Sequence, residues 1–360
     1  MSIQKEFFGT LESGAETHLY TLKNEKGVTV RITDFGGTVV SLLAPDRYGR
    51  FTDVVGGFDC LWDYEHADGY LGALVGPFAN RIAKGTFSLD GVDYSLYCQS
   101  DGNHLHGGRV GFSHRLWNVV DASEADDPEP ELVLTIASPD GDEGYPGDVG
   151  VTVTYRLTAD SALEIHYEAA VEGKATPLNL TNHTYFNLAG YASGDVLGHV
   201  LQMDAESYLR TDEGLIPTGE MVPVAGTPFD FRTPKTIGQD FYADDNDLKI
   251  AGGYDHCFNF TGWQNADDRQ IKKRVTVYEP RRGRKLEVYT NQPCIQFYSA
   301  NFLKNPEFPQ KGGYPQRTQT AFCLETQKMP DSMNHETFTD CVVRPGQVYD
   351  YTTIYRFSAE

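Results

Sequence analysis

Alternation is the first pattern along the chain. From Gly27 to Phe35, Val28, Val30 and Ile32 fall on one side and Thr29, Arg31 and Thr33 on the other. A period of two predicts a half-buried β-strand. Asp34-Phe35-Gly36-Gly37 then turns, and Val39 to Leu43 predicts a second strand. The same alternation marks Leu132–Ala137, Gly150–Leu157 and Leu163–Val171; Arg274–Tyr278, Lys285–Tyr289, Ile295–Tyr298 and the largely apolar Phe322–Thr326 also read as strands. Asp90-Gly91 lies between Phe87/Leu89 and Val92/Tyr94/Leu96 and predicts a tight hairpin, because that dipeptide supplies positive φ angles. A last strand pair is predicted from Cys341–Val343 and Val348–Phe357 around Arg344-Pro345-Gly346. The stretch 195–226 reads as irregular. Thr233-Pro-Lys-Thr-Ile237 predicts a short helix with proline in its first turn. No 15-residue window sustains a 3.6-residue period, and no low-complexity linker divides the chain. The expectation is one all-β domain over residues 1–360, a large antiparallel β-sandwich of two facing sheets.

Against that background, polar residues inside apolar stretches carry the information. Thr181–Gly190 reads Thr-Asn-His-Thr-Tyr-Phe-Asn-Leu-Ala-Gly, with His183 between the carboxamides of Asn182 and Asn187 and beside Tyr185 and Phe186. Amides for hydroxyls and rings for C–H faces suit a sugar, and an imidazole titrates near neutrality. His183 reads equally as a core histidine in a strand-turn. Glu325 follows Phe322-Cys323-Leu324, where a carboxylate is costly unless partnered and where burial would raise its pKa. The solvent face of the same strand is the alternative. Gln296 stands between Ile295 and Phe297. Asp255-His256 follows a glycine pair, and Asn80-Arg81 follows Gly76-Pro77; both also read as surface pairs or caps. Asp101–Gly108 holds His104 and His106 before paired glycines, which admit close approach of backbone or ligand.

Composition narrows the partners. Acidic residues outnumber basic ones by 51 to 30, a formal charge of −21, which argues against nucleic acid and anionic membranes and fits a neutral small molecule. The six cysteines form no C-x-x-C pair, so free thiols in a reducing compartment are expected rather than a zinc knuckle or a disulfide scaffold. Met1–Glu6 lacks the apolar core of a signal peptide, and no run of 18 apolar residues exists. Cytoplasm is the expected location. The acidic stretch 124–131 predicts a surface loop. So does 138–147, whose acids lack the bidentate glutamate of an EF-hand.

Several segments, in this order, resemble the aldose 1-epimerases, or galactose mutarotases: Gly76–Gly85, Asn103–Gly108, Asp140–Gly147, Asn182–Leu188, Tyr254–His256, Gln296–Tyr298, Leu324–Gln327 and Arg344–Gly346. The resemblance spans nearly the whole chain. It departs at Pro77, where many members have arginine, and at Asp340-Cys341, in place of a commoner Pro-Ser. It implies a large β-sandwich, sometimes called a supersandwich, and interconversion of the α and β anomers of a free aldose such as glucose or galactose, with no cofactor and no metal. It further implies Glu325 as general base, His183 as general acid and His106 as the second active-site histidine. Asn80, Arg81, Asp255 and Gln296 would bind the sugar, and His104 receives no role. That chemistry asks for an ionised glutamate and a charged histidine on opposite sides of a pyranose-sized gap, with Tyr185 or Phe186 against the sugar's apolar side. The family also holds sugar-phosphate epimerases and regulatory relatives. A non-catalytic sugar-binding protein, a glycoside hydrolase using Glu325 and Asp255, and a metal enzyme using His104, His106 and His183 are the alternatives. A monomer or homodimer is expected.

Overall fold

The computed structural model describes residues 3–123, 127–264 and 269–360. The first two residues of the N-terminal reading and the first three of the acidic loop at 124–131 lie outside the described residues. The architecture is all-β, with three main antiparallel sheets rather than the expected two. Nine strands form the largest, in the order Asn118–Ala122, Glu131–Ser138, Asp148–Leu157, Ala162–Glu172, Val348–Ala359, Arg284–Thr290, Lys272–Glu279, Val200–Met203 and Lys235–Thr236. Six form the second, in the order Tyr185–Phe186, Phe322–Gln327, Cys294–Tyr298, Asp255–Phe260, Ala205–Thr211 and Pro217–Pro223. Five N-terminal strands, from Gln4–Thr10 to Phe51–Asp53, make the third.

The predicted alternation is clearest in the nine-stranded sheet. Asp148–Leu157 alternates exposed or half-buried with buried positions along its whole length, and Arg284–Thr290 does the same. Their inward residues meet those of the other sheets in one apolar cluster that draws on residues from Tyr20 to Phe357. The hairpin at Asp90-Gly91 forms as predicted, with φ of 51° and 79°.

Three local expectations fail. The segment Thr233–Ile237 is not helical; Lys235–Thr236 pairs with Val200–Leu201 at the rim of the nine-stranded sheet. Five residues are too few to nucleate a helix, and a free sheet edge offers their backbone partners at once. Val342–Val343 pairs with Thr176–Pro177, not with the strand that follows it. That strand, Val348–Ala359, is already paired on both sides, by Ala162–Glu172 and Arg284–Thr290. The stretch 195–226 holds three strands. Register shifts at Ala205/Ser207 and Leu209/Thr211 break the period there, as bulges do, which hides these strands from a pattern search. Two six-residue helices, Leu61–His66 and Asn246–Ala251, are too short to show periodicity.

The strand Phe322–Gln327 ties the six-stranded sheet to its neighbour. Phe322 and Leu324 enter the apolar cluster, where the Tyr355 hydroxyl donates to the Leu324 carbonyl at 2.7 Å and Thr326 hydrogen-bonds Thr353. Cys323, Glu325 and Gln327 therefore face the other way, away from the nine-stranded sheet.

Candidate active site

On that second face the register places the polar residues side by side. Gln296 lies directly opposite Glu325, and Cys257 opposite Gln296. Asp255, two residues from Cys257 on the same face, is diagonal to Gln296 and accepts a hydrogen bond from its Nε2 at 2.7 Å. Tyr185 pairs with Cys323 on the outer side of Glu325's strand, and His183 precedes Tyr185 by two residues. Loops cover the row. Asn80 and Arg81 come in from one side beside the bridge that Arg81–Ile82 makes with His104–Leu105. Residues 68–70 and 302–306 close the mouth.

The result is a cavity of about 380 Å³ whose walls include Asn80, Arg81, His106, His183, Asp255 and Glu325, with Tyr70, Tyr185 and Tyr298 as aromatic walls. Six of the seven residues named from the sequence thus converge. Gln296 stands behind the wall, bracing Asp255. A larger depression, about 600 Å³, lies at the opposite ends of these strands around Trp263, Gln292, Lys328 and Tyr351, and holds none of the seven candidate site residues.

Glu325 is 2 % exposed, and its carboxylate approaches His183 Nε2 at 3.6 Å. The two groups are 3.6 Å apart, closer than the pyranose-sized gap expected. They are spaced to meet two oxygens carried on one carbon. Burial, and next the nearby Asp255 charge, hold the Glu325 carboxyl well above the usual carboxylate range, while Arg81 acts against this rise. Burial pushes His183 down to about 4. Both shifts oppose the charged pair that the chemistry asks for. Where the pair carries a single proton, these shifts favour its place on Glu325 over His183.

His106 is fixed by the backbone. Its Nδ1 accepts from the Asn80 N–H at 3.1 Å, while its own N–H donates to the Asn80 carbonyl at 3.1 Å. An imidazole accepting at Nδ1 carries its hydrogen on Nε2 and presents a donor there. Burial holds it well below the usual histidine range, so it stays neutral. The backbone allows this because Gly107, at φ 90°, packs against Gly76, whose carbonyl oxygen would lie 1.9 Å from any added Cβ.

The same tautomer bears on the metal alternative. His106, His183 and Glu325 offer ligand atoms within 4.8 Å of one another. A neutral imidazole ligates through an unprotonated nitrogen, and His106 has committed its lone pair to the Asn80 N–H, so this trio does not fit a metal. His104 sits elsewhere: its Nδ1 contacts the Tyr97 carbonyl at 2.7 Å and its Nε2 the Tyr145 hydroxyl at 2.6 Å.

Asn182 and Asn187 are structural. Asn182 bonds the Gly72 carbonyl and the Thr184 N–H, and Asn187 the carbonyls of Gly194 and Thr320. Phe186 points into the apolar cluster, so of the two aromatic residues considered Tyr185 alone reaches the cavity. Tyr70 gives no sequence signal; only its left-handed backbone, φ 57° just after Gly69, which is itself at positive φ, marks it. Four buried polar atoms gather here without a partner: Arg81 Nε, His183 Nδ1, Gln296 Oε1 and Glu325 Oε2. Each costs about 1–3 kcal/mol where it stands, so their concentration points to a polar ligand rather than to packing.

The sequence profile of the family described as Aldose 1-epimerase matches residues 18–356. The chain belongs to the aldose 1-epimerase family. Among curated relatives, human galactose mutarotase is 42% identical over 362 residues, covering 99% of each chain. The aldose 1-epimerase of Escherichia coli K12 is 39% identical over 349 residues, covering 96% of this chain and 97% of its own. Among solved structures, galactose 1-epimerase from Lactobacillus acidophilus superposes with a TM-score of 0.84 at 27% identity, covering 99% of both chains. Of the described strands, the profile match leaves out only one entirely, Gln4–Thr10 at the edge of the five-stranded sheet.

Proposed function

We propose that this protein is an aldose 1-epimerase that interconverts the α and β anomers of free aldohexoses such as glucose and galactose. The observation that carries the reading is the contact of Glu325 with His183 on the wall of a polar, aromatic-walled cavity of sugar size. In the forward step Glu325 takes the proton from the C1 hydroxyl as His183 donates one to the ring oxygen. The C1–O5 electron pair leaves with O5, and C1 becomes an aldehyde. Rotation about C1–C2 presents the other carbonyl face, and the two groups reverse roles to close the ring. Atoms and charge balance with no added reactant. O1 and O5 share one carbon, which matches a base and an acid that touch each other.

The Nε2–H of His106 serves as a fixed donor to the ring-oxygen side, and the unpaired Arg81 supplies positive charge near both carboxyls. Asp255, braced by Gln296, and Asn80 take sugar hydroxyls. A hydroxyl donating to Glu325 Oε2 fills an empty acceptor and favours the anion, moving the shared proton toward His183.

The test is polarimetry on fresh α-D-glucose and α-D-galactose. Glu325→Gln should stay folded and lose about 10³-fold in kcat; near-normal mutarotation by that variant overturns the assignment of the base. Among the described residues no helix is long and apolar enough to cross a membrane. Six free cysteines, four of them buried, support a reducing compartment such as the cytoplasm.

A further inference from the structure

Rings, more than hydrogen bonds, hold the His183 imidazole. Its Nδ1 is buried without a partner. The Tyr185 ring lies nearly parallel to it, 20° and 5.0 Å between centroids, and the Tyr70 ring lies at 25° and 6.1 Å. Tyr298 stands edge-on at 6.2 Å. The two near-parallel rings are tied to each other, because the Tyr185 hydroxyl donates at 2.9 Å to the carbonyl of Gly69, the residue before Tyr70. Tyr70 also meets His106 edge-on at 4.6 Å, so one ring touches both active-site imidazoles. It reaches that position at φ 57°, which a bulky residue adopts only when its surroundings impose it.

We propose that Tyr70 and Tyr185 form a two-ring clamp that orients His183 and stabilises its imidazolium through their π faces, making Tyr70 a positioning residue for ring opening. The proposal rests on the mutarotase reading above. Protonating a buried imidazole is unfavourable, and an aromatic face offsets part of that cost. The titratable and charged groups around the ring are Glu325, in direct contact, His106, Tyr70, Tyr185 and Tyr298, with Asp255 and Arg81 acting on Glu325 from neighbouring elements.

The consequence for pH dependence is specific. With one proton shared, the resting form is protonated Glu325 with neutral His183, and the reacting form is the charged pair. The reacting share depends on the difference between the two proton affinities and is constant between the two titrations. Removing a π face lowers the affinity of His183. The plateau of kcat/KM then falls, its acid limb moves to lower pH by the same factor, and the variant meets the wild type on the acid side. Loosened structure would lower the whole profile without moving the limb.

The experiment is kcat/KM for mutarotation of α-D-galactose by the full chain from pH 2.5 to 9. Tyr70→Phe keeps the ring and should stay within about twofold. Tyr70→Leu should lower the plateau roughly five- to tenfold, with the acid limb displaced downward by about 0.7 to 1 pH unit. A wild-type plateau in Tyr70→Leu, a lowered plateau with an unmoved limb, or a loss in Tyr70→Phe equal to that in Tyr70→Leu overturns the clamp. Should Tyr70→Leu fail to fold, a fluorinated phenylalanine at position 70 keeps the shape and weakens the face; it should lower the plateau relative to Tyr70→Phe, and equality overturns the clamp. If the wild type itself shows no mutarotation, the functional reading fails. NMR titration of the His183 ring then tests the clamp alone, which requires a lower midpoint in Tyr70→Leu.

Discussion

The Glu325 carboxyl is shut away from water, with one oxygen unpaired and its proton affinity raised by burial. A carboxyl raised in the fold is protonated there at pH values where the unfolded chain has already lost the proton. Its contribution to stability is full below the unfolded value near 4.5 and is lost as pH rises toward the folded value. Glu325→Gln, neutral at every pH, escapes that loss. The variant is therefore expected to be more stable than the wild type at pH 7.5 by about 1 kcal/mol, with the advantage fading toward pH 4.5. Calorimetry at the two pH values checks this; a Gln variant less stable at pH 7.5 sinks the argument. His183, pushed down to about 4, behaves oppositely: its stabilising share is present above its ordinary value of 6.5 and is lost as pH falls through that window. Glu325 and His183 stand out in the sequence because a charge or imidazole inside an apolar strand is conspicuous. Their protonation is not legible there, because it depends on residues far along the chain.

At the scale of the strand, register decides which residues act directly. Gln296 is an amide planted in an apolar run, and the resemblance implies that it binds the sugar; in the fold its Nε2 donates to Asp255 and its Oε1 is left without a partner. Gln296→Leu should leave the fold intact and raise KM for galactose about tenfold through an unbraced Asp255, with kcat changing less; a tenfold fall in kcat at constant KM would place Gln296 at the reacting centre instead. Initial rates across galactose concentrations separate the two. Strands were readable where both faces differ, as in Asp148–Leu157 and Arg284–Thr290. They were not readable where bulges break the period, at 205–211, or where two-residue bridges carry no pattern, at Lys235–Thr236 and Val342–Val343. Tyr70 is hidden for a related reason: a left-handed tyrosine in a loop has no sequence signature except the glycine before it.

Across the whole molecule, a single apolar cluster takes residues from Tyr20 to Phe357 and receives side chains from all three main sheets. Thermal unfolding should therefore be one cooperative transition, coincident by near-UV circular dichroism and tryptophan fluorescence, as expected of one domain; two separated steps would divide the chain. The number of sheets could not be read from the sequence, because alternation tells that a strand has two faces but not which strands it joins. Val348–Ala359 is paired on both sides in the nine-stranded sheet, and its Tyr355 and Thr353 hold the strand that carries Glu325. A strand that carries none of the proposed catalytic groups thus braces the base. A variant cut back to Gln347 will therefore keep every proposed catalytic group and still turn over no sugar, which polarimetry on that variant checks.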